Sequence, residues 1–132
     1  MFNHIMLGAT NIEESRKFYD ATLAVLGAKP GLKHVGHGGA VRYMYFLGDV
    51  TFLITEPLDG NAASHGNGST IGFKAKDGET IDEWHKVGEA NGGTTCEDPP
   101  GVREGGGIKA YLGYLRDPSN NKICAMCHIP KS

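Results

Sequence analysis

The chain closes on KICAMCHIPKS, and within it Cys124, Cys127 and His128 spell C-x-x-C-H. Three chemistries use these residue types at this spacing: covalent haem c attachment, a redox-active dithiol and half of a zinc site. Each requires the two sulfurs on one side of the backbone. The segment KICAMCH alternates as a β-strand, and a strand sends successive side chains to opposite faces. Cys124, Met126 and His128 then share one face and Cys127 takes the other. No second C-x-x-C completes a zinc site, and haem attachment follows export, for which the start MFNHIMLGATNIEE offers neither a basic nor an apolar leader. The motif is read as a strand.

Composition narrows the partners. The chain has 132 residues, a net charge of −2 and 39% apolar content, expected of one compact domain. Its 13 basic and 15 acidic residues are interspersed, so no basic stripe exists of the kind that nucleic acid binding needs. No apolar run approaches the ~20 residues of a membrane span. Three cysteines are too few and odd in number for a disulfide framework. The expectation is a cytoplasmic protein whose partners are small molecules or proteins, with no nucleic acid and no membrane.

The elements that position Cys124 come in two similar sets. HIMLGATNIEESRKFYDATLAVLGA reads as a strand, a turn and an amphipathic helix, Ile12–Leu26, with Phe18, Thr22, Leu23 and Leu26 toward a core. Asn11 and Glu14 are spaced as a capping box, and Gly27 ends the helix. About 66 residues later STIGFKAKDGETIDEWHKVGEANGGT repeats the plan: a strand Thr70–Ala75, a box in Thr80 and Glu83, a helix Ile81–Ala90 and a Gly92-Gly93 stop. After the first helix, LKHV, a GHGG turn, VRYMYFL, a Gly48-Asp49 turn and VTFLITEP read as a meander. After the second, a glycine loop leads to IKAYLGYL, the turn RDPSNN and KICAMCHI. The expected fold is α+β: two tandem βαβββ units, 1–57 and 70–132, with a linker, 58–69, between them.

These segments resemble the vicinal oxygen chelate superfamily, which includes glyoxalase I, bleomycin resistance proteins and extradiol dioxygenases. The likeness is carried by NHIMLGATNIEESRKFYDATLAVLG, the hinge DGNAASHGNGSTIGF and YLGYLRDPSNNKICAMCH, and spans nearly the whole chain. The usual D-P-D-G-N is replaced here by Asp117-Pro118-Ser119-Asn120-Asn121. The resemblance implies a divalent metal (zinc, nickel, iron or manganese) held by four inward side chains, from the first and last strands of each unit. Those positions fall on His4, Leu53, Thr70 and Cys124. Only His4 keeps a family ligand, and an incomplete shell neither selects nor holds an ion tightly. Rescue by Glu56, His37 or His128 is not expected, since Glu56 is out of phase with Thr51, Leu53 and Thr55 and His37 lies in a loop.

Alternation then lists what lines the cavity. The Gly48-Asp49 turn sets Met44 opposite Leu53, which places Arg42, Met44, Phe46, Thr51, Leu53 and Thr55 inward with His4 and Met6. In the second unit Thr70, Gly72, Cys124, Met126 and His128 face in, and the resemblance adds Tyr114. An apolar concavity with a few polar points is the composition of a small-molecule site. Plainer roles stand beside this one: His4 as a hydrogen-bonded sheet residue, Arg42 as partner to a carboxylate or to a ligand's carboxylate or phosphate, Cys124 as a small buried hydrophobe. At least one of Trp84 and His85 is expected to pack on the outer face, and His34, His37 and His65 to lie in surface loops.

Two functions follow. One is a metal-free, small-molecule-binding protein of the bleomycin resistance kind, needing no cofactor. The alternative is a lyase or dioxygenase of the glyoxalase type with a rearranged metal centre. Because one unit makes half a cavity and leaves Met44, Leu53 and Met126 uncovered, a homodimer is expected, with units pairing within the chain or across subunits.

Overall fold

A computed structural model describes residues 1–130; the last two residues of the expected second unit lie outside them. The first half of the chain forms β1 (His4–Gly8), α1 (Ile12–Val25), β2 (Leu32–Val35), β3 (Val41–Leu47) and β4 (Val50–Thr55). The second forms β5 (Ile71–Lys74), α2 (Gly78–Ala90), β6 (Thr94–Thr95), β7 (Gly101–Gly105), β8 (Ile108–Arg116) and β9 (Lys122–His128). The strands make two mixed sheets, β1-β4-β3-β2 and β5-β9-β8-β6, with β7 also paired to β8. In each, the strand before the helix lies parallel to the last strand and the others run antiparallel. This is the expected α+β architecture, and Met44 does stand opposite Leu53. The register follows from the two-residue turn, where Gly48 at φ +64° takes a conformation that other residues resist.

Helix α1 starts where Asn11 accepts a hydrogen bond from the Glu14 amide at 3.1 Å, satisfying one of the amides that a helix start leaves without a partner. Its apolar stripe buries Phe18, Tyr19 and Leu23 completely, and Leu26 partly. Helix α2 begins three residues earlier than Thr80 and Glu83 suggested. Asp77 is its cap, accepting from the Thr80 amide at 2.8 Å and from the Thr80 hydroxyl at 2.7 Å. A carboxylate that satisfies two donors there outcompetes a hydroxyl cap one turn later. Trp84 and His85, of which at least one was expected on the covered face, are both buried.

Strand β5 is shorter than expected, leaving out Thr70 and Ala75. The region expected to be a glycine loop contains β7, which pairs with β8 through the Gly106-Gly107 turn. His34 lies in β2 rather than in a loop, paired with Arg42.

Both sheets turn one face to a shared core. Tyr19, Phe52 and Phe73 pack in sequence, with Phe52 and Phe73 ring centroids 5.2 Å apart. These two rings come from different units, so the interior is continuous between them. A second joint is polar. The Tyr19 hydroxyl on α1 donates to Asp117 at 2.6 Å; Asp117, in the β8–β9 turn, also accepts from the Ser119 amide and from both nitrogens of Asn121, each at 2.9 Å. The Asn121 side chain donates to the Gly8 carbonyl as well. The RDPSNN segment therefore ties the turn of one unit to the helix and first strand of the other. Asn120 supplies the left-handed backbone, φ +70°, that a glycine would otherwise provide.

Candidate functional site

The faces turned away from the helices form the candidate site. In the first sheet the pairings set three cross-strand rows: His4, Thr51 and Phe46; Met6, Leu53, Met44 and Leu32; and Gly8, Thr55, Arg42 and His34. In the second, Cys124 stands between Gly72 and Tyr114, Met126 between Lys74 and Leu112, and His128 opposite Ala110. Thr70 immediately precedes β5. All the strand residues expected inward thus share the concave sides of their sheets. The opposite sides carry Tyr43, Tyr45, Phe52, Ile54, Phe73, Ile123 and Ala125, all buried under the helices. Cys127 is on the helix side, with its Sγ near the Lys76 carbonyl, so Cys124 and Cys127 point apart as strand alternation requires.

Exposure differs from expectation at one point. Leu53 is only 8% exposed, because the Met6 and Met44 side chains flank it, and Met44 and Met126 are half-buried. The uncovered apolar surface of this face lies instead on Leu32, Phe46 and Met6, 56%, 59% and 39% exposed.

Three hollows open around the end of β1 and the start of the linker. The largest, about 480 Å³, is walled by Met6, Leu7, Arg42, Thr55, Pro57 and Leu58. A second, of about 200 Å³, joins the units by bringing Met6 and Gly8 beside Thr70 and Lys122. A third, about 250 Å³, lies under the glycine turn and is lined by Thr10, Gly39, Glu56 and Asn61. Met6 is common to the first two. Arg42 donates its Nε to Thr55 at 3.2 Å and lies flat against Gly36, where a Cβ would stand 2.6 Å from the guanidinium carbon. Glu56, expected to point away, follows the last residue of β4 and sits in the walls of two hollows. Its carboxylate accepts the Val41 amide at 2.8 Å.

The polar cluster of the second unit was only half legible. Lys122 is in phase with Cys124 and forms an ion pair with Glu97, while its ammonium lies 5.0 Å from the centre of the Tyr114 ring. Strand parity places Lys122 on this face, but its pairing depends on Glu97, held at φ +59° outside any strand. Burial, and after it the negative charge of Glu97, raises the Cys124 thiol above its ordinary range, so the neutral form dominates near pH 7. Burial likewise raises Tyr114.

These side chains do not make the metal shell that the resemblance implies. Leu53 has no donor atom, His4 bonds its Nδ1 to Asn3 at 2.7 Å, and Cys124 stands beside Gly72 and Tyr114. Among the described residues no three His, Cys, Asp or Glu side chains converge on a point. His37 sits in the short turn His37–Gly39 and His128 at the end of β9, opposite Ala110. No helix of the described residues is long and apolar enough to cross a membrane.

Comparison with known proteins agrees with this architecture. The family model for the glyoxalase/bleomycin resistance protein/dioxygenase superfamily matches residues 1–125. A glyoxalase/bleomycin resistance protein from Albidiferax ferrireducens T118 shares 52% identity over 96% of this chain and 98% of its own, with a TM-score of 0.87. More distant likenesses extend to the fold alone. A glyoxalase/bleomycin resistance protein/dioxygenase family enzyme from Burkholderia phytofirmans PsJN has 15% identity over 94% and 95% of the two chains, with a TM-score of 0.68. A fosfomycin resistance protein from Listeria monocytogenes has 16% identity over 100% and 94%, with a TM-score of 0.66. A search of curated proteins gave no match. The duplicated βαβββ plan, the Asp117 turn and a family match over nearly the full length agree, and the chain belongs to the glyoxalase/bleomycin resistance protein/dioxygenase superfamily.

Proposed function

We propose that this protein binds a small organic molecule on its concave face without a resident metal. The observation that carries the reading is Leu53. The family position for a metal carboxylate on β4 holds an aliphatic side chain packed between two methionines, and Thr70 and Cys124 occupy two further ligand positions. A Met-rich wall with isolated polar points suits a ligand held by apolar contact and a few hydrogen bonds.

The cavity is completed in this reading by a second copy of the chain. Leu32 and Phe46 remain largely uncovered on the same face as Met6 and Met44, and a two-fold partner would bury them. Three free thiols, Cys96, Cys124 and Cys127, fit a cytoplasmic location. The experiment is native mass spectrometry of purified protein, with denaturing extraction of whatever it carries, before and after dialysis against a chelator. A small molecule retained after chelator treatment supports the reading. Release of the molecule together with a stoichiometric metal ion overturns it.

A further inference from the structure

We propose that the ligand is a small organic anion whose carboxylate or phosphate group seats on Arg42 while its apolar part lies over Met6. This rests on the small-molecule reading above and adds the charge of the ligand. The chain as a whole is slightly acidic, with a net charge of −2, yet the charged strand residues of its concave sides are all basic. Strand positions on the concave sides hold Arg42, Lys74, Arg103, Arg116 and Lys122, and no Asp or Glu. The acidic groups near them, Glu56, Asp59 and Glu97, come from segments outside the strands.

Most of these cations already have partners. Lys122 is paired with Glu97, Arg103 donates to the carbonyls of Gly101, Leu112 and Asp98, and Arg116 donates to the Asn120 carbonyl. Arg42 differs. Its Nε reaches Thr55, and its two terminal nitrogens have no hydrogen-bond partner among the described residues, although the side chain lines the 480 Å³ hollow. The two carboxylates in that wall are turned to backbone amides, Glu56 to Val41 and Asp59 to Asn61. Neither takes up the guanidinium's free edge. That edge is the planar fork that fits a carboxylate or phosphate with two parallel hydrogen bonds. Met6, Leu7, Pro57 and Leu58 around it supply the apolar remainder of the hollow.

The test uses defined probes on the full chain. Phenylacetate and phenyl phosphate are titrated against uncharged phenylacetamide, with the Met methyl and Arg Nε signals followed by NMR at low salt. The anions are expected to shift Met6 and Arg42 saturably and to bind about tenfold or more tighter than the amide, the scale of one charge-assisted hydrogen-bonded pair. The tighter of the two anions identifies the preferred group. Arg42→Gln is expected to erase the preference, and Arg42→Lys to keep part of it while confirming that the face tolerates substitution. Saturable binding at Met6 with no preference for charge, or a preference that survives Arg42→Gln, overturns the anion proposal and leaves the small-molecule reading intact. No saturable shift with any probe overturns both.

Discussion

Replacing Asp117 by alanine removes the one acceptor that four donors share in the joint between the units. The Tyr19 hydroxyl, the Ser119 amide and two nitrogens of Asn121 converge on this carboxylate, and Tyr19, Asn121 and Asp117 are all buried. A buried donor left unpaired costs about 1–3 kcal/mol. Two of the four, Tyr19 and the Asn121 side chain, have little access to water, which sets the expected loss for Asp117→Ala at about 3–5 kcal/mol. Tyr19→Phe deletes one donor and leaves the carboxylate three, so about 1–2 kcal/mol is expected. The pair should couple by about 1 kcal/mol or more in a double-mutant cycle. Urea denaturation with linear extrapolation measures all three. An Asp117→Ala loss below about 1 kcal/mol, or strictly additive effects, would show that the turn does not hold the units together. Burial pushes this carboxyl above its ordinary range, against the four hydrogen bonds. A folded value above the unfolded one means that ionisation opposes folding at neutral pH, and that the opposition is relieved as pH falls through the folded value. The stability of the parent minus that of Asp117→Asn should therefore rise between neutrality and the ordinary Asp range.

Phe18→Ala should cost about 3–5 kcal/mol, since the ring is fully buried against Tyr19 at a centroid distance of 4.9 Å; a loss under about 1 kcal/mol would contradict the helix register. Asp77→Ala should lower the melting temperature more than Glu83→Ala, and the reverse order would restore the later cap. Its carboxyl is held below the ordinary range by the Thr80 hydroxyl and amide, so the cap's contribution is present above the unfolded value and lost as pH falls through the folded one. Cys124 should react with iodoacetamide more slowly than Cys96 and Cys127 near pH 8, because burial raises its thiol; mass spectrometry of the labelled peptides checks the order. Phe46→Asp with Leu32→Asp should turn the proposed dimer into a monomer in sedimentation equilibrium. A parent that already sediments as 14.1 kDa contradicts the dimer.

What the sequence disclosed was mostly what local physics decides. Period-two alternation assigned Cys124 and Cys127 to opposite faces, and the short turn at Gly48 set Met44 against Leu53. Asn11 announced the first helix because its cap is formed by neighbours in sequence. The features that escaped depend on distant partners. Strand β7 is glycine-rich and gains its structure by pairing with β8. The joint between Tyr19 and Asp117 spans 98 residues, and the ion pair of Lys122 with Glu97 needs an unusual backbone at Glu97. The start of α2 was misplaced because Thr80 and Glu83 have cap spacing, while the structure uses Asp77 one turn earlier.

The reading of a metal-free site is tested most directly by calorimetric titration of chelator-dialysed protein with zinc, nickel, manganese and iron(II) in turn. With Leu53 and Thr70 at two of the four ligand positions and no three His, Cys, Asp or Glu side chains converging among the described residues, the account predicts no stoichiometric uptake and affinities no tighter than roughly those of scattered surface ligands. One ion bound per site at high affinity, lost in His4→Ala and required for retention of the small molecule, would contradict it.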